Sequence, residues 1–225
     1  SWGPLPPLLT GRQLIMIDNR GCGRTRSEGA IRIDDMADDC RALLEHLGIA
    51  EVDIVGHSMG GMIGLLLAAT APERVRRIVT MTSGTIAPSK RILLKDLARL
   101  YASVSPTDFF RLLYQWLFSE PFFADERNVT AAALASTSYP YRQSPADLAR
   151  QVAVFDSQQK WDLRGVRCPV LALSGEKDIL APTAMVEAMH APIAGVRYGV
   201  IAGAAHSLHW EKPAEVAAAI NDFIA

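Results

Sequence analysis

The chain has 225 residues, 49% of them hydrophobic, and a formal net charge of −1 at pH 7. That length suffices for one large core carrying an insertion, and its Lys and Arg are scattered, leaving no basic stripe for nucleic acid or an anionic membrane. The three cysteines (Cys22, Cys40, Cys168) lack metal-ligand spacing and no apolar run reaches membrane-spanning length, which argues against a disulfide framework and a membrane span and for a reducing, cytoplasmic setting.

In chain order, "LIMID" (14–18) is a short apolar run that reads as a strand, ending in the polar turn "NRGCGRT". Ile33, Met36, Ala37, Cys40, Leu43, Leu44 and Leu47 then recur at helical spacing, with Gly48 as the stop signal. "VDIVGH" (52–57) is the next strand and "MGGMIGLLLAAT" (59–70) the next helix, closed by Pro72. "RRIVTMT" (76–82) is a further strand. After an interruption come the strand "PVLALSG" (169–175), a helix around Thr183–His190, the strand "VRYGVIA" (196–202) and the helix "PAEVAAAINDFIA" (213–225). Such alternation predicts an α/β fold with a mostly parallel, doubly wound sheet flanked by helices. Ligands of such sheets bind outside the carboxyl ends of the strands.

The interruption, 85–160, has no strand pattern. "RILLKDLARLYASV" is amphipathic, and "SPTDFFRLLYQWLF" and "SPADLARQVAVF" each open with Ser-Pro, an N-cap followed by a residue preset for the first helical position. The expected organisation is a core of residues 1–84 and 161–225 with a helical cap, 85–160, over the active edge of the sheet.

Residues 56–60, Gly-His-Ser-Met-Gly, form a G-x-S-x-G pattern at a strand-to-helix junction. Glycines two positions either side of Ser58 let a tight turn close and project the hydroxyl out of the sheet. The backbone N–H of Met59 falls at a helix N-terminus, where free donors and the helix dipole favour an anion, so it is the expected oxyanion donor. A serine hydroxyl is a poor nucleophile near neutral pH and needs a base, itself oriented by an acid. The turn after the strand 169–175 contains Asp178, and the turn after the strand 196–202 contains His206. Glu176, Asp156 and Asp162 are alternative acids, and His209 is an alternative base. His57 is expected to pack or hydrogen-bond beneath the turn, His46 to lie on the surface, His190 to end a helix, Asp18 and Arg20 to fix their own turn, and Cys22 to be incidental.

The order Ser, Asp, His in these contexts resembles the α/β-hydrolase family over nearly the whole chain. "DNRGCGRT" is similar to the family's D-x-R-G-x-G-x-S/T turn after its fourth strand. "APERVRRIV" resembles the lead into its sixth strand, while "PVLALSGEKDILAP" and "HSLHWEKP" resemble its acid and histidine loops. The resemblance implies Ser58 as nucleophile, His206 as general base and acid, and Asp178 as the orienting carboxylate, with no metal or organic cofactor. It implies acyl-enzyme hydrolysis, because haloalkane dehalogenases and epoxide hydrolases carry an aspartate at the turn.

The family's second oxyanion donor comes from a loop after its third strand, and "SWGPLPPLLTGRQ" resembles the segment just after that loop. The expectation is that roughly 25 to 40 further residues, in the same chain or a second one, complete the edge of the sheet. The cap is rich in aromatic groups, of which Phe109, Trp116 and Phe123 are candidates to line an apolar pocket for a small apolar or aromatic ester or lactone. Hydrolysis of a C–C bond, as in meta-cleavage-product hydrolases, is the second reading; acyl transfer or ligand reception on the same fold are the others.

Overall fold

The computed structural model describes residues 2–156 and 161–225. The chain runs through α1 (Ile33–His46), β1 (Val52–His57), α2 (Met59–Thr70) and β2 (Val75–Met81), then four helices, α3 (Pro88–Tyr101), α4 (Pro106–Leu117), α5 (Glu126–Ser138) and α6 (Pro145–Ala153). It closes with β3 (Val170–Gly175), α7 (Thr183–His190), β4 (Arg197–Ile201), α8 (Leu208–Glu211) and α9 (Pro213–Ile224).

The four strands form one parallel sheet in the order β1-β2-β3-β4, with Ile54 opposite Ile78, Val79 opposite Leu171 and Leu173 opposite Gly199. Side chains alternate across a strand, so each face needs its own cover. Ile78 and Val170 pack with Met36, Leu65 and Ile63 of α1 and α2. Val79, Leu171 and Leu173 pack on the opposite face with Val216, Ile220 and Phe223 of α9. The doubly wound α/β architecture read from the sequence is therefore present.

Local chemistry sets the helix boundaries. Ser105 Oγ accepts from the Asp108 N–H and Ser144 Oγ from the Asp147 N–H, both at 3.1 Å, ahead of Pro106 and Pro145. Each serine thereby satisfies a donor that the first helical turn leaves open. Helix α5 is opened by Asp125, whose carboxylate accepts from Arg127 N–H at 2.9 Å. Gly48 (φ 66°) terminates α1 in the left-handed conformation.

One expected element is corrected. Residues 14–18 are not a strand, and Leu14 and Met16 are exposed. A strand exists only through ladder hydrogen bonds to a neighbour, and among the described residues this run has none. Correspondingly, among the described residues β1 pairs only with β2 and has no neighbour on its other edge. The end of the inserted segment, placed at 160, lies outside the described residues, as does residue 1. No helix among the described residues is long and apolar enough to cross a membrane.

Candidate active site

Strand β1 ends at His57 and α2 begins at Met59, so the chain reverses on Ser58, which takes φ 52° and ψ −119°. Such a conformation costs a non-glycine residue about 1–3 kcal/mol. Two glycines make room for it. A Cβ on Gly56 would come within 2.6 Å of backbone atoms of Gly60 and Gly61, and one on Gly61 would come within 2.1 Å of Ser83 Oγ. A Cβ on Gly60 would meet nothing within 4 Å. The expectation that glycines two positions either side of Ser58 close the turn is thus corrected: Gly56 and Gly61 do so. Ser83, which nothing in the sequence singled out, braces the turn by donating its hydroxyl to Ser58 O at 2.7 Å. Met59 occupies the first position of α2, its N–H at the positive end of the helix dipole.

Asp178 and His206 project from the loops after β3 and β4. Asp178 Oδ1 accepts the backbone N–H groups of Leu180 (2.8 Å) and Ala181 (2.9 Å), and Oδ2 accepts from His206 Nδ1 at 2.8 Å. The Asp178 side chain is fully buried and that of His206 only 5% exposed. A carboxylate that only accepts places the imidazole proton on Nδ1, which leaves Nε2 of the neutral ring as a lone pair. The rival acids are occupied elsewhere. Glu176 pairs with Lys177 and takes the Gly203 N–H, Asp156 pairs with Lys95, and Asp162 pairs with Arg164. Asp178 bonds His206 and not His209, which sits in α8 with its ring 4.4 Å from that of His57.

Among the described residues no hydrogen bond joins the Ser58 hydroxyl to the His206 ring; the two residues meet through His57. His57 Nε2 donates to the main-chain oxygen of His206 at 2.9 Å, and their rings are 5.0 Å apart. Thr82 Oγ1 donates to the same oxygen at 3.2 Å from a residue that itself has φ 49°. Burial, then the neighbouring His209 and His206 rings, push the His57 imidazole well below the usual histidine range. His57 is therefore a neutral donor that fastens the histidine loop to the serine turn.

The remaining expected residues lie further out. Asp18 accepts the Arg24 N–H within its own turn, and Arg20 grips Asp39 of α1 at 2.8 and 2.7 Å. Burial raises the Cys22 thiol above its usual range, away from the reactive thiolate. Of the three aromatic candidates for the pocket, Phe109 lies deepest. It is buried in the interior of the inserted helices with Leu97, stacked on Tyr101 at 4.0 Å between ring centroids. Trp116 is half-buried beneath Lys90, whose Nζ lies 4.9 Å from the ring, and Phe123 packs edge-on to Phe122.

The family model described as the alpha/beta hydrolase fold matches residues 1–213. The chain belongs to the α/β-hydrolase family. RutD of Azorhizobium caulinodans, named as a carbamate hydrolase, is 27% identical over 225 residues, covering 94% of this chain and 81% of the relative. The crystal structure of BpoC from Mycobacterium tuberculosis H37Rv, named as a non-heme bromoperoxidase, superposes with a TM-score of 0.80 at 27% identity, over 92% of this chain and 78% of the other. Est816, described as an N-acyl homoserine lactone degrading enzyme, has a TM-score of 0.78 at 26% identity, over 98% of this chain and 86% of the other. Within this α/β-hydrolase, Ser58, Asp178 and His206 come from the ends of three parallel strands, β1, β3 and β4. Such ends are where doubly wound sheets present their ligand sites.

Proposed function

We propose that this α/β-hydrolase cleaves a small-molecule carboxylic ester or lactone through an acyl-enzyme formed on Ser58. The observation that carries the reading is the buried Asp178–His206 hydrogen bond beside a serine held at φ 52°. A neutral imidazole with its proton tied up at Nδ1 has its basic nitrogen, Nε2, ready for the serine proton, and a strained strand-to-helix turn exposes the hydroxyl.

In this reading His206 Nε2 takes the Ser58 proton as the oxygen attacks the carbonyl carbon. Asp178 keeps the ring in place and balances the imidazolium, while the Met59 N–H stabilises the tetrahedral oxyanion. The imidazolium then protonates the leaving oxygen, and the carbonyl re-forms as the acyl-enzyme. Water, deprotonated by His206, repeats the steps and releases the acid. We read the α3–α6 segment as a cap, with Trp116 and Phe123 rather than Phe109 as candidates to face an apolar acyl or aromatic substrate. The lactone-degrading description of Est816 supports ester or lactone over C–C cleavage. The three free cysteines agree with a cytoplasmic setting.

The test is a substrate panel with wild type and Ser58→Ala: p-nitrophenyl esters of increasing chain length, an N-acyl homoserine lactone, a p-nitrophenyl carbamate and a ring-cleavage dienoate. Wild type is expected to release nitrophenol from short esters or open the lactone, and Ser58→Ala to lose turnover by roughly four to six orders of magnitude. Turnover confined to the dienoate, or a Ser58→Ala protein that still turns over, overturns the reading.

A further inference from the structure

The His206 loop is held by more than Asp178. The N–H of Ala205, the residue before His206, donates to Glu211 Oε2 at 2.7 Å. The other carboxylate oxygen, Oε1, accepts from both the N–H (2.9 Å) and the hydroxyl (2.5 Å) of Ser119. Ser119 lies just beyond α4 in the inserted segment and is buried. On the other side of His206, the Ser207 N–H donates to Leu117 O, at the end of α4, at 2.8 Å. The peptides flanking His206 are thus both tied to residues 117–119, one directly and one through a single carboxylate that belongs to the histidine's own loop.

The geometry points to Glu211 as a positioning residue that makes the placement of the His206 imidazole depend on the inserted helices. This rests on the reading of His206 as the base. A carboxylate suits the place because all three partners are donors, and a charged acceptor binds each more strongly than a neutral one. An amide of the same shape fails at one end, since its NH2 would face either the Ala205 N–H or the two Ser119 donors. A hydrophobic clasp at this site would hold the segments together without fixing the loop in register, because apolar contact has no direction. The inserted segment is then not only a cover: a displacement of residues 117–119 carries the Ala205 and Ser207 peptides with it, and the imidazole between them.

Glu211→Gln and Ser119→Ala test this, with two readouts. The first is kcat and KM on p-nitrophenyl acetate, measured per folded molecule. Glu211→Gln is expected to lower kcat by roughly ten- to a hundredfold with KM within about twofold, and Ser119→Ala to lower kcat in the same direction by a smaller factor. The second is the far-downfield proton resonance of the His206 Nδ1–H shared with Asp178, which needs no turnover. It is expected to shift or broaden in both variants. Wild-type kcat together with a wild-type resonance in Glu211→Gln overturns the inference, as does a lower melting temperature with both readouts unchanged. If Glu211→Gln does not fold, Ser119→Ala decides on the same criteria. If wild type proves inactive on the ester, or Ser58→Ala active, the proposed hydrolysis fails, and the resonance alone then decides the role of Glu211.

Discussion

His57 Nε2 and the main-chain oxygen of His206 are hydrogen-bonded at 2.9 Å across 149 positions of sequence. The residue before the serine thereby holds the backbone of the residue read as its base. Because His57 is half-buried and its protonation strongly opposed, it acts as a donor of fixed tautomer. His57→Phe keeps a ring but removes the donor, leaving His206 O with Thr82 alone. The expected result is a loss of about 1–3 kcal/mol in unfolding free energy, read from urea melts, and a lower kcat with KM little changed. Unaltered kcat would limit His57 to packing.

Asp178→Asn tests the tautomer argument. The amide can keep its oxygen toward Leu180 and Ala181 N–H, as Asp178 Oδ1 does now, only by turning its NH2 toward His206. The NH2 then donates to Nδ1, which forces the imidazole proton onto Nε2 and removes the base. Turnover should fall by about four orders of magnitude while the melting temperature changes little. A loss below tenfold would show that Asp178 does not set the tautomer.

The serine turn offers a paired steric test. Gly61→Ala drives a Cβ into Ser83 Oγ and toward Gly56 O, so stability and activity should both fall, the former by about 1–3 kcal/mol. Gly60→Ala meets no atom within 4 Å and sits inside α2, where alanine is the better helix former; stability should be unchanged or rise by up to about 1 kcal/mol. Circular dichroism melts of the two variants check the order. The reverse order would show that the turn is built differently.

His190 supplies a pH test remote from the serine. It is fully buried, with Nδ1 donating to Val186 O at 2.8 Å and Nε2 hydrogen-bonded to Thr80 Oγ1 at 2.9 Å. Burial holds its pKa in the folded chain below the usual histidine range. The unfolded chain therefore takes up a proton that the folded chain refuses once pH falls below about 6.5. The stability is present above that pH and is lost as pH falls toward the folded pKa, with a slope of up to about 1.4 kcal/mol per unit for each such histidine, His57 included. Urea midpoints at pH 7.5 and 5.5 should show the loss in wild type and a smaller one in His190→Gln. An equal loss in both would exclude His190 as a source.

Much of this protein is written locally. The spacing of Ile33, Met36, Cys40 and Leu44, the Ser-Pro openings at 105 and 144, and the passage from "VDIVGH" to "MGGMIG" each depend on residues within one or two turns, so α1, α4, α6 and the bend at Ser58 are legible without a fold. Local pattern also misleads where an element needs a distant neighbour. Residues 14–17 have the composition of a strand but no ladder partner among the described residues.

Tertiary structure decided which members of equivalent sets meet. Four carboxylates and two histidines stood as candidates in the C-terminal part of the chain, and only folding brings Asp178 to His206 while occupying the other three acids with Lys177, Lys95 and Arg164. The bracing of Ser58 by Ser83, and the attachment of Ser119 to Glu211 across 92 positions, left no trace in spacing. The physical reason is one of range. Propensity, capping and periodicity act between neighbours along the backbone, whereas a hydrogen bond between two side chains on different strand ends exists only once the sheet between them has set their separation to within a few tenths of an ångström.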